Sequence, residues 1–203
     1  MEVVMKNASP VNLKWRIIKS GVGFSEVSLI LPIMQTNGQP EFFLETGVKV
    51  YNLDLIDEEF LWSSQDIILF SSLFGHTLNK NSPITIELNL ADPSVIEIIN
   101  IVASARFSED IDLRQIDMSP SFQTQIKKIR LGEVVSINTD QGFKLAVVAG
   151  IAPSDLRCVI LEPFFKPESN EYISIHDVIK ISKIGVLPAE FGANLSCNFD
   201  ILH

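Results

Sequence analysis

Cysteine is scarce. The chain has two, Cys158 and Cys197, in 203 residues. Two cysteines in a chain of this length do not make a disulfide framework, so stability must come from a packed core. Histidine is nearly as rare, with His76, His176 and His203. None stands at metal-ligand spacing from another histidine or a cysteine, so no metal site is expected. No run of 18 apolar residues is present, which excludes a membrane-spanning helix of the usual length. The first 19 residues are interrupted by Lys6, Asn7, Pro10, Asn12, Lys14 and Arg16, so they hold no secretory apolar region. These absences point to a soluble protein of a reducing, cytoplasmic compartment.

Positive charge is also in short supply. There are 16 Lys and Arg against 25 Asp and Glu, a formal net charge of −9. The deficit is spread along the chain. Residues 1–106 carry 7 basic and 12 acidic residues (−5), and residues 107–203 carry 9 and 13 (−4). A protein that grips phosphate backbones normally presents a basic face. The one basic cluster, Lys127-Lys128-Ile129-Arg130, reads as a solvated patch. Nucleotide fingerprints are missing too. Gly21-Val22-Gly23 lacks the third glycine and the following helix of a dinucleotide site, and no phosphate-binding loop occurs. No cofactor is expected.

Apolar residues make up 46% of the chain and charged residues 20%, the composition of a globular protein with a real core. Their pattern predicts an α+β, β-rich chain. Strands alternate apolar and polar residues around Trp15 in 11–19 and over 24–34, where Pro32 marks an edge or bulge. Asn37-Gly38 fits a hairpin turn. Two further strands, 41–45 and 48–55, are expected on either side of Gly47. Asp57 to Trp62 reads as one helical turn. Ser63 and Asp66 have the spacing of a capping box ahead of Ile67, Ile68, Phe70, Leu73 and Phe74 at helical spacing, with Gly75 placed to end the helix. A strand follows over 83–90. Asp92-Pro93 then opens a second helix, 95–105, apolar on nearly every side and therefore buried.

Beyond an acidic shift at 108–112, Asp117–Ser121 reads as a linker, which divides the chain into an α+β domain over 1–117 and a small all-β domain over 118–203. The second domain is expected to hold five short strands between 131 and 184: 133–137, 143–149, 156–161, 172–175 and 178–184. Thr139–Gly142 and Ala152–Asp155 form the turns. A small SH3-like β-barrel or a plain meander satisfies this pattern.

No motif has a spacing that demands one chemistry. His76, near Ser71, Ser72 and Asp66, could be drawn as a nucleophile–base arrangement, but no nucleophile elbow precedes it. His176-Asp177 resembles half of a metal site and reads more simply as a polar break between strands. Asp54, Asp57, Glu58 and Glu59 form the densest carboxylate group, and a helix start explains them. Phe164-Phe165, between Pro163 and Pro167 in the longest loop of the C-terminal domain, is the more informative pair. Neighbouring side chains cannot both point inward, so one is expected to be exposed for a partner.

The expected function is therefore non-catalytic: a protein-binding or assembly component (adaptor, inhibitor or immunity-type protein, or structural subunit). It would act on another protein, a basic surface being the natural match to its acidity, and through Phe164, Phe165, His176 and Asp177. The alternative is a hydrolase using His76 or His176 with nearby carboxylates. A weaker alternative is nucleic-acid binding by the C-terminal barrel.

Overall fold

The computed structural model describes residues 2–3, 13–20, 23–31, 42–51, 57–74, 88–114, 128–166 and 171–189. The chain divides into two compact units, Met1–Phe107 and Ser108–His203. It is α+β and strand-rich, and its sheets are largely antiparallel.

The first unit is built on a four-stranded antiparallel sheet. Strand β1 (Glu2–Val3) pairs instead with β6 (Leu88–Asn89), the described part of the strand expected over 83–90. In the larger sheet the order is β4 (Phe42–Val50), β3 (Ser25–Leu31), β2 (Lys14–Lys19) and β5 (Glu59–Leu61). The alternation around β2 is realised: Leu13, Trp15 and Ile17 are fully buried while Lys14 and Arg16 point the other way. Strand β3 is buried on both faces, since Ser28 and Ile30 are as inaccessible as Val27 and Leu29.

Two local expectations are corrected. Asp57–Trp62 is not a helical turn. Asp57 takes a left-handed φ of 64°, and β5 then pairs with β2, placing Phe60 opposite Trp15. The long-range pairing outweighs the weak helical preference of three acidic residues. Gly47 does not separate two strands either. Strand β4 runs through it with a register shift against Glu26–Ser28, and Gly47 (φ 68°) supplies the backbone turn of the bulge. Thr46 completes it: its Oγ1 donates to the Val27 carbonyl at 2.7 Å and accepts the Val48 N–H at 3.3 Å.

Helix α1 (Ser64–Leu73) starts as expected. Ser63 Oγ accepts the Asp66 N–H at 3.2 Å, and Asp66 Oδ2 accepts the Ser63 N–H at 2.7 Å. Gly75 and His76 lie outside the described residues. Helix α2 (Pro93–Phe107) is capped by Asp92, whose Oδ1 accepts the Ser94 N–H at 2.9 Å. Its buried residues Val95, Ile98, Ile99, Ile101, Val102 and Ala103 pack it against β4 and α1.

The second unit centres on a six-stranded sheet. Its elements are β7 (Asp110–Asp112), β8 (Val134–Thr139), β9 (Gly142–Ile151), β10 (Asp155–Ile160), β13 (Val178–Ser182) and β14 (Val186–Pro188), with a 3₁₀ turn at Lys183–Gly185 before the last. The order is β14-β8-β9-β10-β13-β7, antiparallel except for β13–β7. A small hairpin, β11 (Phe164–Phe165) with β12 (Tyr172–Ile173), stands beside it. The core on one face gathers Val135, Ile137, Val148, Leu156, Cys158, Ile160, Phe164, Ile173, Ile179, Ile181 and Leu113.

No closed barrel is found among these pairings, which run in an open order from β14 to β7. The strand expected over 178–184 stops at Ser182. The chain turns there and returns as β14 on the free edge of β8, where Pro188 is tolerated. The acidic stretch at 108–112 contributes β7 to this unit, and the residues of the expected linker, 117–121, lie outside the described set.

Candidate partner-binding site

Strand alternation decides the fate of the two phenylalanines. In β11, Phe164 faces inward opposite Ile173, and both are buried in the core. Phe165 faces outward opposite Tyr172. They are 43% and 54% exposed, and their rings meet edge to face at 5.2 Å. Such a pair is worth about 0.5–1.5 kcal/mol beyond the area it covers, so the two rings brace one another on the surface. The hairpin is extended by the Lys166 N–H donating to the Glu171 carbonyl at 2.7 Å, with Lys166 Nζ 3.7 Å from Glu171 Oε2.

The return strand leads into a turn built by Asp177. Its Oδ2 accepts the Ser174 N–H at 2.7 Å, and its own N–H donates to the Ser174 carbonyl at 3.2 Å. His176 holds a left-handed φ of 70°. The turn is fastened to the end of β10: the His176 N–H donates to the Ile160 carbonyl at 2.8 Å, and the Ile160 N–H to the Asp177 carbonyl at 2.9 Å. The Asp177 carboxylate thus shapes the turn, and the turn presents Ile175 at 50% exposure.

Of the four residues expected at a partner site, Phe165 stands at the surface, His176 and Asp177 are half-buried in one turn, and Phe164 belongs to the core. Tyr172 and Ile175 went unassigned. The pairing that turns Phe164 and Ile173 inward turns Phe165 and Tyr172 outward, and the signal for Tyr172 lies in its alternation with Ile173 and Ser174 inside the strand expected over 172–175.

The other candidate groups have structural partners. Asp66, 5% exposed, is met at Oδ2 by the Ser63 N–H, by Trp15 Nε1 at 3.4 Å and by Arg106 Nη1 at 2.5 Å. Arg106 in turn lies over the rings of Phe60 and Phe107, at 5.9 and 5.4 Å. Trp15 stacks on Trp62 at 5.2 Å and meets Phe107 edge-on. Asp66 is therefore the polar anchor of an aromatic core. Glu59 pairs with Lys14 at 3.0 Å. Cys158 is in the core, where burial pushes its thiol up to about 12. Among the described residues no group of three or more His, Cys, Asp or Glu is gathered as metal ligands, and no helix is long and apolar enough to cross a membrane.

No protein-family model matches the chain, and no curated protein sequence matches it.

Proposed function

We propose that the protein is a non-catalytic binding or assembly component, and that the Phe165–Tyr172 hairpin is its contact for another protein. The observation that carries this reading is the edge-to-face aromatic pair, half exposed and fixed on a short hairpin. Aromatic side chains held rigid at a surface are the commonest anchors of protein interfaces, because they bury a large area at low entropic cost. Ile175, on the turn that follows β12, adds apolar surface. The net charge of −9 favours a partner with a basic surface and speeds their encounter.

Two finer readings go with it. The strand order β14-β8-β9-β10-β13, with a 3₁₀ turn before the strand that returns to the first, supports an SH3-like barrel arrangement of this unit. The buried free thiol of Cys158 suits a reducing, cytoplasmic setting.

The test is quantitative affinity capture from the native host, comparing the wild type with Phe165→Ala/Tyr172→Ala. We expect a partner that the wild type retains and the double variant loses at least tenfold, with unchanged circular dichroism. Equal recovery of every bound protein by both would end the assignment of this hairpin.

A further inference from the structure

The edge of the six-stranded sheet is closed by its weakest member. Strand β7 has three residues, Asp110–Asp112, and is the parallel strand of an otherwise antiparallel sheet. It pairs Asp110, Ile111 and Asp112 with Val178, Ile179 and Lys180 of β13, and the Leu113 N–H donates to the Lys180 carbonyl at 2.8 Å. It alternates in chemistry as well. Ile111 and Leu113 turn toward the core, Leu113 becoming 1% exposed. Asp110 and Asp112 lie on the opposite face, beside basic groups. Asp110 Oδ1 is 2.5 Å from Arg157 Nε, and Arg157 Nη2 also donates to the Ser108 carbonyl at 3.0 Å. Asp112 is chelated by Arg114, and Arg114 and Lys180 both approach Asp155, at 3.9 and 3.8 Å.

Residues 110–113 therefore carry a four-residue code, acidic–apolar–acidic–apolar, matched on the receiving side by Arg157 of β10 at Asp110, by Lys180 of β13 in register with Asp112, and by the hydrophobic core. The ion pairs at the acidic positions are partly open to solvent, Arg157 and Asp110 at 29% and 39% and Arg114 and Asp112 at 45% and 52%, and ion pairs of that kind are weak and screened by salt. Were β7 to leave, β13 would present an unpaired row of backbone donors and acceptors, a template for another strand.

We propose that the β13 edge is a strand-acceptor site, occupied in cis by residues 108–114, and that its exchange partner is the same segment of a second copy of this chain. That segment matches the code by construction, and exchange of an identical element is a low-cost route to a dimer. The site is separate from the Phe165–Tyr172 hairpin and does not depend on it.

The probe is a fluorescent peptide with the sequence of residues 108–114, added to the full chain. Wild type, with its own strand in place, takes up little. Asp110→Lys/Asp112→Lys loosens the cis strand and is expected to bind the peptide at least tenfold more tightly. Adding Arg157→Glu abolishes the gain. A variant with wild-type circular dichroism that binds no more peptide than the wild type overturns the proposal. Amide exchange of the wild type gives a second measurement that needs no variant. The Leu113 amide should exchange at least a hundredfold faster than the Val148 amide, which donates to Glu133 within the sheet, and faster still as salt is raised from 0.05 to 0.5 M. Equal protection of the two amides, unmoved by salt, overturns it as well.

Discussion

Asp66 shows how much one side chain can hold. Its carboxylate is 5% exposed and accepts from a helix cap, an indole and a guanidinium. Removing one member of a buried ion pair typically costs about 3–5 kcal/mol. Arg106 keeps some access to water, so Asp66→Ala is expected to cost somewhat less, about 2–4 kcal/mol, read from urea unfolding of the variant against wild type. A difference below 1 kcal/mol would show that the aromatic core stands without this anchor. Cys158 gives a second expectation at this scale. With burial holding its thiol near 12, the thiolate fraction at pH 8 is about one in ten thousand, too low for ready reaction. In a Cys197→Ser background, a thiol-reactive dye should leave the folded protein unlabelled for hours and label it at once in denaturant. Prompt labelling of the folded chain would place Cys158 outside the core.

Among the elements, β4 is the most informative because it departs from regularity. Its bulge needs a left-handed residue at 47 and a hydroxyl at 46. Gly47→Ala meets open space, so only the φ of 68° resists it. A cost of about 1–2 kcal/mol follows from the backbone alone. Thr46→Val keeps the β-branched shape but strands the Val48 N–H and the Val27 carbonyl, an expected loss of about 1–3 kcal/mol. Differential scanning calorimetry of both variants checks these figures, and a neutral Thr46→Val would show that the hydroxyl is dispensable to the bulge. Helices α1 and α2 behave more simply. Their starts are local arrangements of Ser63 with Asp66 and of Asp92 with Ser94, and both were legible in the sequence as caps. The short strands were not. Phe164–Phe165 read as loop and Asp57–Trp62 as a turn of helix, since a two- or three-residue strand has too little chain to show a period and exists by virtue of its partner.

At the scale of the whole molecule, acidity governs the response to pH. Hydrogen bonds from the Arg114 side chain hold the Asp112 carboxyl well below the usual carboxylate range, and the Ser94 hydroxyl and amide lower that of Asp92. Both pKa values are depressed on folding. The stability they contribute is therefore complete above the unfolded value of 3.8 and is lost as pH falls through the folded values. Thermal midpoints should be flat from pH 7 to 5 and decline below about 4, with Asp112→Asn showing a shallower decline than wild type. A midpoint that rises on acidification would reverse the sign of this linkage. Both carboxylates are exposed, so the effect of each is modest.

What the sequence determined by itself is whatever rests on near neighbours in the chain. The caps of both helices, the buried character of α2, the alternation about Trp15, the turn at Thr139–Gly142 and the strand-rich α+β class all follow from residues within a few positions of each other. The tertiary structure decided what rests on distant partners. It made Glu59–Leu61, within the expected helical turn, a strand by placing Phe60 opposite Trp15. It drew Asp110–Asp112 onto β13 and returned Val186–Pro188 to β8. It also settled which phenylalanine is buried, because the inward face of β11 exists only once Tyr172–Ile173 pairs with it. A strand's period says that two faces differ, and only its neighbours say which of them meets the core.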